Sequence, residues 1–279
     1  MIYVVHNTHT MKLLLEPENK KLQIFCDIIG NFKYLCDFIT FNFSEAGIYS
    51  QGLSMDHCSV FEMTIKEDWF ADFEWDSGKD AVEISISTEI LSKILATRQP
   101  SQYMVIEYYG KPDSITIRFS STATKSVKTE FPKEFSIPLI DVDWEKLTIP
   151  KLEYSAEFGI GSKSLHATNE QLSLFNETLT IHCSEDEIYL RSKGNDGQLK
   201  VTLFDEKCEH ITEFSIEEEL SLTLDFSIKH FNTFCRFLKV SDNVNLGFKK
   251  DTPMKFEYAM EDENIELAFY LAPKISDDE

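Results

Sequence analysis

Apolar residues recur along the chain with two periods. Phe25, Ile28, Ile29, Phe32, Leu35 and Cys36 stand at helical spacing. A strand-rich stretch follows from Thr40 to Ile65, broken at Ala46-Gly47. Ser87 to Thr97 reads as a second amphipathic helix, with Ser87 and Thr88 as candidate N-terminal caps. Alternating segments at Met104–Tyr109, Ser114–Ser120 and Val127–Leu139 predict further strands. The same order returns in the second half, with helices near Ser164–Phe175 and Ser227–Leu238. Loops of hairpin length between most strands predict antiparallel sheets and an α+β class rather than βαβ units.

The two halves align on each other. Ser44-Glu45-Ala46-Gly47-Ile48-Tyr49 falls on Ser184-Glu185-Asp186-Glu187-Ile188-Tyr189, an offset of 140 residues. The same offset carries Phe25, Phe32 and Leu35 onto Leu165, Leu172 and Phe175, and Ile84, Ile86, Leu91 and Ile94 onto Leu224, Phe226, Phe231 and Phe234. One ungapped offset serving separate segments predicts two like-folded domains. Residues 1–138 form the first and 156–279 the second, with an extended connector at 139–155 that follows Pro138 and contains Pro150. Leu147 and Ile149 alternate along it, which predicts a docking surface.

Composition narrows the function. The 279 residues include 22 Phe and carry a formal net charge of -21. So acidic a surface repels nucleic acid unless cations are concentrated on one face. Six dispersed cysteines (Cys26, Cys36, Cys58, Cys183, Cys208, Cys235) form no CxxC pair, and no signal peptide is recognised, so reduced thiols in an intracellular protein are expected. The Asn176-Glu177-Thr178 sequon is then a chance match. No apolar run approaches the ~20 residues of a membrane helix. Enzyme readings find little support. The seven His are scattered, His182-Cys183 lacks partners at metal-ligand spacing, and no phosphate loop, dinucleotide fingerprint or nucleophile elbow occurs. The Asp141/Asp143 pair is explained by a solvated connector. No catalytic residue, metal or cofactor is expected.

The run Phe269-Tyr270-Leu271-Ala272-Pro273-Lys274-Ile275, the connector from Leu139 to Pro150, the loop Gln51 to Ser59, and Asp251-Thr252-Pro253 together resemble the proliferating cell nuclear antigen family of sliding DNA clamps. The resemblance implies three subunits of two clamp domains each, closed into a ring around duplex DNA, with four short helices per chain lining the hole and antiparallel sheets outside. It implies a homotrimeric processivity factor for DNA replication and repair, located in the nucleus or at a viral replication site. The partners would be double-stranded DNA of any sequence, DNA polymerase and other proteins with a short aromatic-anchored motif, and a clamp loader. The alternative is a clamp-fold subunit of a checkpoint-type heterotrimer, or a viral factor that acts without a loader.

The same resemblance assigns residues. A partner-peptide pocket would be walled by Leu53, His57, Cys58, Leu147, Ile149, Pro253, Tyr270, Ala272 and Pro273, with Cys58 in place of the family's usual valine. Strands Glu130–Pro138 and Gly197–Leu203 would pair across subunits, with Phe135 and Ile137 against Leu199, Val201 and Leu203. Lys33, Lys93, Arg98, Lys229 and Arg236 would face DNA, opposed by Asp27, Glu89, Glu170 and Asp225. Five cations against four acids predict a near-neutral lining, and the third helix is expected to carry no Lys or Arg from Ser164 to Phe175. Glu185 stands where eukaryotic clamps carry a regulatory lysine. Met11 is an alternative family-like start.

Overall fold

The computed structural model describes residues 10–18, 20–76, 81–110, 113–121, 131–206 and 208–274. The chain divides into two compact units. One holds residues 1–52 and 63–146; the other holds residues 53–62 and 147–279. The division falls between Lys146 and Leu147, inside the expected connector. The tip of one hairpin, Leu53–Glu62, groups with the second unit, which no single boundary along the chain anticipates.

The first unit opens with β1 (Met11–Leu15), then α1 (Lys21–Asn31) and a 3-10 turn at Phe32–Tyr34. Strands β2 (Phe38–Ser44), β3 (Gly47–Leu53), β4 (Ser59–Lys66), β5 (Asp72–Trp75) and β6 (Val82–Ser87) follow, then α2 (Thr88–Leu95). It closes with β7 (Tyr103–Tyr108), β8 (Ser114–Ser120) and β9 (Lys133–Pro138). Two antiparallel sheets result, ordered β5-β1-β7-β8-β9 and β6-β2-β3-β4. Val127 to Glu130, expected as the start of the last strand, lie outside the described residues.

The second unit repeats this plan. It runs β10 (Ala156–Gly161), α3 (Ser162–Leu172), β11 (Thr178–Ser184), β12 (Ile188–Gly194), β13 (Gly197–Asp205), β14 (Cys208–Glu209), β15 (Ile211–Ile216) and β16 (Ser221–Ser227). Then come α4 (Ile228–Cys235), β17 (Asn243–Phe248), β18 (Met254–Tyr258) and β19 (Ile265–Leu271). Its sheets are ordered β15-β10-β17-β18-β19 and β16-β11-β12-β13-β14. Strand for strand this is the order of the first unit, with one short strand, β14, added at an edge. The offset of 140 holds at both ends of β2 and β11, of α2 and α4, and of β7 and β17. Strands β1, β5 and β10 are additions to the expected elements: β5 has only four residues, while Ala156, Phe158 and Ile160 of β10 do alternate with Glu157, Gly159 and Gly161.

The aligned apolar positions form the cores. Phe25, Phe32, Leu91 and Ile94 are buried in the first unit, as are Leu165, Leu172, Phe231 and Phe234 in the second. In the second unit a set of rings fills the space between α4 and its sheet. Phe234 stacks on Phe269 at 4.8 Å, Phe237 lies 5.0 Å from Phe269, and Phe256 meets Phe231 and Phe234 edge to face. Each helix pair is tied differently. The Thr88 hydroxyl at the start of α2 donates to the Cys36 and Asp37 carbonyls just after α1. Between α3 and α4 a polar bond crosses the apolar packing, Asn169 Nδ2 to Asn232 Oδ1 at 2.7 Å. Only Ser87 acts as an N-cap of α2, accepting from the Ile90 N–H.

The connector is irregular from residue 139 to 154. Its first part lies on the first unit. Ile140 N–H donates to Ser85 O at 2.9 Å, the Trp144 indole donates to Gln51 O at 3.2 Å, and the Lys146 ammonium sits 4.2 Å over the Tyr49 ring. Its last part lies on the second unit. Ser155 N–H donates to Phe248 O, and Tyr154 covers Gly247, where a Cβ would come within 2.8 Å of the ring. Gly247 therefore has no room for a side chain.

Phe269→Ala removes the ring that joins α4 to β19. It should lower the stability of the second unit by about 3–5 kcal/mol in chemical denaturation, while Glu266→Ala, at an exposed position of the same strand, should stay within about 0.5 kcal/mol.

Candidate functional site

The residues expected to wall the pocket all belong to the second unit, and backbone geometry brings several together. Ala272 N–H donates to Cys58 O at 3.2 Å, which fixes the C-terminal run beside the hairpin tip. In the β18–β19 register Met254 faces Leu271 and Lys255 faces Tyr270, so Pro253 stands next to Ala272. Asp251 adopts φ 58° and the Thr252 hydroxyl donates to Lys249 O, a tight turn that presents Pro253 at the strand start. Leu53 and Leu147 are each 37% exposed, Met55 is 63% exposed, and Ile149 is half-buried. Tyr270 is half-buried, and burial together with Glu62 and Tyr154 raises its phenol well above the usual range. It faces this surface as a neutral group.

The hairpin tip has its own polar scaffold. Ser54 Oγ donates to Asp56 Oδ1 at 2.7 Å, and His57 turns through φ 60° with its N–H on Ser54 O. Asp56 Oδ2 reaches His230 Nε2 on α4 at 2.7 Å. Burial opposes ionisation of Asp56, but the bonds from Ser54 and His230 prevail and hold its carboxyl down at about 2. The pairing spans 174 positions of sequence, and no local pattern could reveal it.

The expected DNA-facing cations are placed differently from one another. Lys33 is exposed beside the Tyr34 ring, 5.1 Å away. Lys93 is exposed and bridges Glu89 one turn back at 2.6 Å. Lys229 and Arg236 are exposed on and just after α4. Arg98 is a different kind of residue. Its guanidinium donates to the carbonyls of Gln99, Pro100 and Gln102 and to Gln23 Oε1 at 2.9 Å, so it braces the loop after α2 against α1. Most of its donors are used inside the protein.

Two expectations about charge are corrected. The third helix begins at Ser162, where β10 ends, and so includes Lys163. Asp225 lies in β16 rather than on a helix. Counting the four α-helices, the 3-10 turn that continues α1, and their flanking cap residues, Lys20, Lys21, Lys33, Lys93, Lys163, Lys229 and Arg236 stand against Asp27, Glu89 and Glu170. Seven cations against three acids make the helical surface basic in a protein of net charge -21.

The expected interface strands are both edge strands. Among the described residues β9 ends its sheet, and residues 197–201 of β13 pair on one side with β12, while β14 and His210 cover Leu203, Phe204 and Asp205 on the other. Glu130 lies outside the described residues. Ile137 and Leu203 are 2% and 4% exposed, each set deeper in its own core than Phe135, Leu199 and Val201 on the same strands. They therefore cannot supply side-chain contact to another subunit. Phe135, Leu199 and Val201 are half-buried and remain available.

The buried thiols are unsuited to nucleophilic chemistry. Burial pushes Cys36 and Cys183 up to about 12 and Cys235 higher still. His182 stacks on Tyr189 at 4.8 Å and contacts the Thr223 hydroxyl. Glu185, at the position of the family's regulatory lysine, accepts from the Glu219 N–H at 3.3 Å.

Comparison with known proteins agrees with this architecture. The model described as proliferating cell nuclear antigen, N-terminal domain, matches residues 14–146, and that for the C-terminal domain matches residues 148–274. The proliferating cell nuclear antigen of Chaetomium thermophilum is 27% identical over 268 residues, covering 95% of this chain and all of that protein. That of Caenorhabditis elegans is 28% identical over 90% of this chain and 94% of its own length. The DNA polymerase sliding clamp of Methanococcus vannielii is 26% identical over 90% and 95% respectively. The solved proliferating cell nuclear antigen of Entamoeba histolytica shares the fold with a TM-score of 0.81 at 23% identity, over 96% of this chain and all of that one. The two models meet where the two units divide, each matched half carries the same strand order, and the chain belongs to the proliferating cell nuclear antigen family.

Proposed function

We propose that three copies of this chain close into a ring around duplex DNA and act as a sliding clamp. The ring holds DNA polymerase and other replication and repair proteins at their template in the nucleus, and a clamp loader opens it. The observation that carries this reading is the concentration of cations on four helices of an otherwise acidic protein. Helix-borne lysines that make weak, sequence-blind phosphate contacts attract DNA without reading bases or arresting movement. The relatives named as DNA polymerase sliding clamps support the same role. The protein's part is that of a scaffold, and its work is topological rather than chemical.

Ring closure uses the edge strands. β9 of one subunit aligns with residues 197–201 of β13 in the next, which satisfies backbone groups that would otherwise invite aggregation. Recruitment uses the surface built from Leu53, His57, Cys58, Leu147, Ile149, Pro253, Tyr270, Ala272 and Pro273. A partner's single helical turn places aliphatic and aromatic anchors there.

Four outcomes test the parts separately. Val201→Asp puts a charge at the strand interface, where an unpaired buried carboxylate is strongly unfavourable, and should turn a trimer into monomers in sedimentation at micromolar concentration. An unchanged trimer would remove β13 from the interface. Ile149→Ala should weaken calorimetric binding of an aromatic-anchored peptide by at least about tenfold, the cost of losing an anchor wall; equal affinity would put the pocket elsewhere. For encirclement, the protein is threaded onto linear DNA whose ends are then blocked. It should stay bound at high salt while the ends are blocked and leave when they are cut free. Replacing Lys33, Lys163, Lys229 and Arg236 together by alanine should flatten the salt dependence by about 0.9 in log–log slope for each phosphate that is no longer neutralised and leave the trimer intact. Retention that ignores the state of the DNA ends would overturn the clamp reading.

A further inference from the structure

Among the described residues, one cluster brings together three different metal-ligating side chains: Asp56 and Cys58 on the hairpin tip and His230 on α4. Their donor atoms all lie within 4.8 Å of one another. The tip that supplies two of them groups with the same unit as α4. From this arrangement we infer that Asp56, Cys58 and His230 form a binding site for one zinc-class divalent ion per chain.

The donor set selects the metal. One carboxylate oxygen, one thiolate sulfur and one imidazole nitrogen suit zinc or cobalt(II); magnesium and calcium require several oxygens instead. Tetrahedral bonds of about 2.0–2.3 Å place neighbouring ligands roughly 3.3–3.6 Å apart. The Asp56 Oδ2 to His230 Nε2 contact of 2.7 Å therefore opens slightly, and the thiol closes in. Both movements are side-chain rotations at an exposed tip, since Cys58 is exposed and Asp56 keeps 42% of its side chain in solvent.

The surroundings orient the ligands. Ser54 Oγ and the Cys58 N–H both donate to Asp56 Oδ1, at 2.7 and 3.4 Å, which fixes the carboxylate and directs Oδ2 at the imidazole. Partners of this kind hold metal-binding carboxylates in place. His230 Nδ1 is buried without a hydrogen-bond partner, so Nε2 is the atom that anchors the ring, and it points at the Asp56 carboxylate beside Cys58. The Cys58 thiol contacts Asp56 O at 3.5 Å. On binding, the Sγ–H bond breaks, a sulfur–metal bond forms, and the proton passes to buffer, so carboxylate and thiolate together neutralise the dication. Water fills the fourth position on the solvent side. The bound ion pins the hairpin tip to α4.

Cobalt(II) is the probe, added to the full-length reduced protein. It should bind one ion per chain with a thiolate-to-cobalt charge-transfer band and the visible bands of a tetrahedral site, and zinc should bleach both by displacement. Cys58→Ser should abolish the charge-transfer band. Asp56→Asn and His230→Gln should each weaken cobalt binding at least about tenfold, with far-ultraviolet circular dichroism unchanged. If His230→Gln disturbs α4, the exposed Cys58→Ser variant still decides. A wild-type protein without a thiolate band, or a band that survives Cys58→Ser, would overturn the site.

Discussion

The burial of four short helices by their own sheets is the constraint on which the rest of this structure depends. α2 and α4 have eight residues each and α1 and α3 have eleven. Isolated helices of that length are marginal in water, so each exists because an apolar stripe is held by a sheet. Leu91, Ile94 and Leu95 do this for α2, and Ile228, Phe231, Phe234 and Cys235 for α4. Once that stripe is committed inward, the remaining face must be polar and open. Lys93 and Lys229 are exposed for this reason, and the same geometry that stabilises each unit presents its cations outward.

Packing of this kind is legible in sequence because it is periodic. The offset of 140 locates α4 from α2 and β17 from β7, since each pair must bury the same positions against the same strand order. What escapes is set by residues that meet from far apart along the chain. Asp56 meets His230 across 174 positions. Arg98 looks in sequence like one more helix cation, but the turn after α2 leaves three carbonyls converging where its fork can reach them. Ile137 and Leu203 read in sequence as interface residues, yet the fold buries both in their own cores. Lys163 escapes because apolar spacing alone places the helix start two residues late. The end of alternation at Gly161 is the local signal that finds it.

The acidity of the chain and its cationic helices are two sides of one design. A protein of net charge -21 with evenly spread carboxylates would be repelled by phosphate at every approach. Placing Lys and Arg where the fold obliges side chains to be exposed, on the outer faces of short helices, creates a local field of opposite sign at little structural cost. The acids that accompany them are partly engaged: Glu89 pairs with Lys93, and Asp27 accepts from Gln23. The connection to DNA therefore rests on distribution rather than on total charge.

The hairpin tip from Leu53 to Glu62 is where fold and recruitment meet. It leaves the first unit between Gly52 and Met63 yet belongs to the second, so its position depends on a few specific bonds. The Ala272 N–H fixes its backbone at Cys58, and the Asp56 carboxylate fixes its side chains to α4 through His230. Leu53, Met55 and Cys58, all exposed, are carried by that same short segment. The Asp56–His230 contact therefore holds the segment that carries this apolar wall. Because α4 also bears Lys229 on its open face, the one helix links the peptide-facing tip to the cationic surface.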